Sequence, residues 1–162
     1  MRDDVSPSPG GDPDGDPRPV PPGYPRGYRP VVPFDEAFDA QLGLEVTDDG
    51  RRDGVVRGRL VIRDDLRRHS GPLHGGVISA VAEALASLGT WQAVHDAGNL
   101  AMGTSNDTSH LEPLHHGHLN ATAVARHRSD GHWLWEVQTH DDDGRLCAIT
   151  TVNIAVRPAR PR

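Results

Sequence analysis

Between Gly75 and His95 the chain is small and apolar at almost every position, and its only charged side chain is Glu83. Ile78, Val81, Leu85 and Leu88 recur at helical spacing and mark one buried stripe. Ser79, Glu83, Ser87 and Thr90 mark a second, polar stripe. The pattern predicts a helix of about five turns if it reaches Val94, with Gly98 and Asn99 as its stop signal. On either side the period changes. Phe34–Leu42 reads as a short helix or turn, and Gly43–Val46 and Gly54–Ile62 as strands around the turn DDGRRDG. Asp64–Gly71 is polar and loop-like. After the helix, Leu100–Leu111 leads to a turn at Pro113–Gly117. Leu119–His127 then alternates, with Leu119, Ala121, Ala123 and Ala125 on one face. His132–His140 carries Trp133 and Trp135 on a shared face. Leu146–Val156 is rich in β-branched residues on both faces, the mark of a central strand. Short strands, one long helix and an antiparallel meander make an α+β layout, one sheet wrapped on one helix.

Composition changes this picture only at the start of the chain. Of the 162 residues, 1–33 hold ten of the fourteen prolines, five glycines and five aspartates. Such a segment buries too little apolar surface to offset its chain entropy and reads as a disordered tail. It has no apolar core of the kind a signal peptide carries. The domain is expected at residues 34–157, with a short C-terminal tail at 158–162. The net charge of −6 and the lack of a basic patch argue against nucleic acid as a partner. No apolar run approaches the length of a membrane span, so no membrane partner is expected. The single cysteine, Cys147, forms no internal disulfide, which fits a cytoplasmic location. All seventeen basic residues are arginine, so Schiff-base and phosphate-loop lysine chemistry is excluded.

Candidate chemistry centres on Glu83. A carboxylate on an apolar helix is costly to bury unless it is paired. The small neighbours Ala80, Ala84 and Ala86 favour a pocket lining over a solvated face. Gly75 and Gly76 open the helix, where free N–H groups make an oxyanion site and glycine lets a ligand come close. Glu83 lies about 13 Å along the axis from His74. One chain therefore cannot readily bring the helix start and Glu83 to one carbonyl, whereas antiparallel helices from two subunits can.

These residues resemble the hotdog-fold acyl-CoA thioesterases of the phenylacetic-acid and 4-hydroxybenzoyl-CoA type. The resemblance rests on Gly71, on His74-Gly75-Gly76 and on the acidic Glu83, within the strand–helix–meander order, and covers roughly Phe34–Val156. It implies hydrolysis of an acyl-CoA to acid and CoA, and it suggests an aromatic acyl group. It implies that no metal or redox cofactor is needed, and that the site is shared between subunits of a homodimer or homotetramer. Glu83 would be the nucleophile or the base that activates water. Gly75 would give its N–H to the thioester oxygen, with Gly76 beside it. Ser87 would help hold the attacking water, and His74 would orient the loop or contact the thioester. The stretch GTSNDTSHLEP resembles the strand that lines the CoA groove, with His110 and Pro113 matching. Arg68 stands where the family usually has Asn or Gln, with His69 and Ser70 as neighbours that would substitute. Asp107 stands in place of Asn, and Glu112 in place of Arg. An acid at either place is less welcoming to CoA. These departures keep two further readings open, an acyl-CoA-binding protein without turnover and, less favoured, an enoyl-CoA hydratase.

Other groupings carry less. His115, His116 and His118 lack metal-ligand spacing and read as turn residues. Ser79 and Ser87 lie outside any nucleophile elbow. Cys147 reads as a buried, inert thiol. Asp141, Asp142 and Asp143 read as a solvated turn, and Arg126, Arg128 and Arg145 as candidate contacts for CoA phosphates.

Overall fold

In the computed structural model, residues 31–49 and 54–159 are described. The expected tail through residue 30, residues 50–53 of the expected turn DDGRRDG, and residues 160–162 lie outside them. The first helix, α1, is Phe38–Leu42, ended by Gly43 at φ +79°. Strands β1 (Glu45–Asp48) and β2 (Val55–Val61) precede the long helix α2 (Gly75–Val94). Strands β3 (Asn99–His110), β4 (His118–Arg128), β5 (His132–His140) and β6 (Leu146–Pro158) follow. All pairings are antiparallel, in the order β1-β2-β4-β5-β6-β3. The connection that places β3 beside β6 makes β3 an edge strand, with one side of its backbone unpaired among the described residues. It is twelve residues long, against four for the opposite edge strand β1.

The helix forms where the sequence predicts it, because its apolar stripe needs a sheet to cover it. Val77, Ile78, Val81, Ala82, Leu85 and Ala86 are buried. They share one core with Val56, Leu60, Leu119, Trp135, Val137, Val152 and Ile154. Small residues let the layers close: a Cβ on Gly89 would lie 2.5 Å from the Trp135 ring and 2.7 Å from Val56. The indoles of Trp133 and Trp135 stack at 6.0 Å inside this core.

Three expectations need correcting. Thr90 belongs to the buried side, not the polar stripe. It is 0% exposed, its hydroxyl donates to the Ala86 carbonyl at 2.9 Å, and it accepts the Trp135 indole N–H at 2.9 Å. Leu88 is only half-buried. Gly75–Ala97 is long and apolar enough, by length and composition alone, to cross a membrane. The length argument against a span therefore fails, and what speaks for a core helix is its packing against β2 through β6.

Candidate active site

The approach to α2 is built before the helix starts. Leu66 ends a single helical turn (Asp64–Leu66), and Arg67 and Leu73 then pair as an isolated bridge. The Leu73 N–H donates to the Leu114 carbonyl at 2.7 Å, and the His74 N–H to the Leu66 carbonyl at 2.9 Å. These bonds fix where the helix begins. His74 is its N-cap, its Nδ1 accepting the Gly76 N–H at 3.0 Å and its carbonyl the Val77 N–H at 2.9 Å. Among the described residues nothing accepts the Gly75 N–H. The helix start thus leaves a free donor where the helix field is positive. The absent Gly75 side chain matters as well, since a Cβ there would lie 2.8 Å from His110 Nε2. The structure therefore brings His74, Gly75, Gly76 and His110 together.

Glu83 sits two turns further along. Its carboxylate lies over β3 at Gly103, where a Cβ would be 2.8 Å from Glu83 Oε1. The side chain is exposed at the open side of the sheet. Among the described residues no arginine pairs with it. Ser87, one turn on, is half-buried. Along one helix Gly75 and Glu83 are about 12 Å apart. Asp39 of α1 is close enough to feel Glu83: desolvation raises its carboxyl above the ordinary range, and the Glu83 charge adds to the rise.

Sequence reasoning missed the polar seam between these two points. Asn106 Nδ2 donates to the Ser79 carbonyl at 2.9 Å and lies 3.5 Å from Glu83 Oε2. Thr108 Oγ1 donates to Asn106 Oδ1 at 3.2 Å, and is 2.9 Å from Ser79 Oγ and 3.1 Å from Thr150 Oγ1. The available signal was the two-residue spacing of Asn106 and Thr108, which puts both on one face of a strand. Asp107 alternates to the other face, away from α2, and is exposed.

The remaining candidates lie elsewhere. Arg68 and His69 are exposed at the tip of the turn before α2, where Arg68 bonds through its backbone to Pro72 and Gly71. Arg126 pairs with Glu136 at 2.7 Å, holding that carboxyl below the ordinary range. Arg145 pairs with Asp141 at 3.0 Å, and Arg128 lies 4.9 Å over the Trp133 ring. His118 Nδ1 is 3.2 Å from the Asp142 carboxylate. The Cys147 thiol is buried, and desolvation raises its pKa.

Comparison with known proteins bears on the fold and the family. Residues 70–148 match a family model described as the thioesterase superfamily. A Mycobacterium tuberculosis protein named as an esterase is 35% identical over 126 residues, covering 76% of this chain and 89% of that protein. The 1,4-dihydroxy-2-naphthoyl-CoA hydrolase of Listeria monocytogenes is 29% identical over 119 residues, covering 74% of this chain and 94% of the hydrolase. A Pseudomonas aeruginosa thioesterase, solved as a point variant, has the same fold. Its TM-score is 0.73 at 24% identity, over 77% of this chain and 88% of that one.

Proposed function

The chain belongs to the thioesterase superfamily and is a thioester hydrolase of the hotdog fold, and on that footing we propose that it splits an acyl-CoA into the free acid and CoA. The observation that carries this reading is the position of Glu83. It is the sole charge of α2, held at the open edge of the sheet beside Gly103 with no cationic partner among the described residues. A carboxylate placed so is available as nucleophile or general base.

The reaction follows from the parts. The thioester oxygen accepts the Gly75 N–H, and the helix N-terminus stabilises the charge that grows on that oxygen. Glu83 attacks the carbonyl carbon, or takes a proton from a water that does. In the water route the carbon–sulfur bond breaks and that proton goes to the CoA sulfur; in the nucleophile route CoA leaves as its thiolate, and a water then cleaves the acyl–Glu83 anhydride, releasing the acid, restoring the carboxylate and supplying the proton to the thiolate. In the water route Ser87, one turn from Glu83, helps to hold the water. The separation of Gly75 from Glu83 makes the site composite, the N–H coming from one subunit and the carboxylate from the other. Pairing along the open β3 edge is the natural way to set two such helices antiparallel, and it covers the exposed Leu100 and Met102. An aromatic acyl group is the first class to test, given the substrate in the Listeria relative's name.

The test is thiol release from a panel of acyl-CoAs spanning aromatic, short-chain and long-chain esters. Glu83→Gln is expected to lower kcat by about 1,000-fold or more without unfolding the protein. Near-normal turnover in that variant would sink the mechanism.

A further inference from the structure

We propose that Asn106 is a positioning residue for Glu83, held in its working orientation by the hydroxyls of Thr108 and Thr150. The proposal rests on the reading in which Glu83 does the chemistry. It begins from an oddity of β3. This strand turns an amide and a hydroxyl toward α2, where an apolar pair would seal the seam at lower desolvation cost. The polar groups do not merely satisfy one another, because the chain they form has a direction.

Thr150 is 0% exposed, and its hydroxyl meets Thr108 Oγ1 at 3.1 Å. Thr108 donates its single hydrogen to Asn106 Oδ1 at 3.2 Å, which leaves its lone pairs for Ser79 and Thr150. With Oδ1 taken, the Asn106 NH2 faces the other way. The Ser79 carbonyl at 2.9 Å requires the same orientation, since a carbonyl only accepts. One amide hydrogen serves Ser79, and the second faces Glu83 Oε2 at 3.5 Å. The Ser79 carbonyl is also the helical acceptor, four residues back, of the Glu83 N–H. Asn106 therefore grips Glu83 through the backbone of its own turn and through one carboxylate oxygen.

The consequence is a fixed direction for the other oxygen. With Oε2 toward Asn106, Oε1 lies across Gly103 at the open edge of the sheet. A carboxylate with no such donor would rotate about its terminal bond and spend part of its time turned away. The cluster thus carries order from a fully buried hydroxyl out to the reacting group.

The test is a double-mutant cycle on the full chain, read by thiol release from one acyl-CoA. Asn106→Leu, close in size, is expected to lower kcat about 10- to 100-fold with KM within about twofold. In a Glu83→Gln background, assayed at high enzyme concentration, the same change should lower the residual rate less than about twofold, because nothing is left to position. Thr108→Val serves if Asn106→Leu fails to fold. It frees the amide to turn and should cost kcat about 3- to 10-fold, an effect again absent beside Glu83→Gln. Losses that multiply across the two backgrounds overturn the proposal, as does a folded Asn106→Leu enzyme with unchanged kcat. Normal turnover in Glu83→Gln alone strikes the underlying mechanism and the positioning role together. An inactive Glu83→Gln beside an unaffected Asn106→Leu strikes the positioning role only.

Discussion

The two flanks of α2 meet the sheet under opposite rules. On the flank facing β5, Gly89 lets the Trp135 ring settle against the helix, and Thr90 supplies the single polar contact the indole needs. The contacts at Gly89 are close, and interiors packed this way transmit any added atom as strain. On the flank facing β3, Gly103 leaves room not for a ring but for the flexible end of Glu83. The same absent methyl group thus serves cohesion on one side and placement of a carboxylate on the other. Close approach by glycine is therefore no guide to purpose until the approaching atom is known.

Adding that methyl group on each flank is the sharpest test of this contrast. Gly103→Ala meets only a side-chain tip, so the carboxylate moves while the strand stays. Expected are a kcat lower by about 10- to 100-fold and a melting temperature close to that of the parent. Gly89→Ala meets the Trp135 ring and Val56, and overpacking of a closed core should cost about 2–3 kcal/mol in urea unfolding, with kcat at low temperature close to normal. If both variants lose stability alike, the seam under β3 is ordinary core and the comparison fails. A smaller change probes the closed flank alone. Thr90→Val keeps the volume but leaves the Trp135 indole N–H without its acceptor, for a loss of about 1–2 kcal/mol by urea unfolding. The smallest effect belongs to Asp39. Its carboxyl pKa is raised, so the folded state holds that proton to higher pH than the unfolded chain does, and ionisation at neutral pH opposes folding. Asp39→Asn should raise the melting temperature slightly at pH 7, and the gain should vanish as pH falls through the raised value. A constant gain across that range would mean that its charge is not the cause.

The same contrast explains what was legible in the sequence. The helix bounds and the succession of strands along the chain follow from local period, and local period survives folding whenever a stripe must find cover. Thr90 was misplaced because its partner, Trp135, is 45 residues away, and period alone cannot show which polar residue will be met by a buried donor. The seam residues Asn106 and Thr108 went unnoticed for a related reason. Which face of β3 looks at α2 depends on its register with β6, and that register shifts between Gly103 and Ser105. A one-residue slip exchanges the two faces, and Asp107 was singled out by the family resemblance rather than by its place on the strand. The glycines opening α2 were readable as a site, but the His110 ring seated against Gly75 required the fold.

The twelve residues of β3 carry two things at once, the unpaired edge of the sheet and the seat of Glu83. In an architecture that kept these on separate strands, a lineage could drift from one assembly to another while its carboxylate stayed untouched. If subunits pair along this edge, substitutions that retune association fall on the strand that supports the carboxylate, and those that retune the carboxylate reshape the edge.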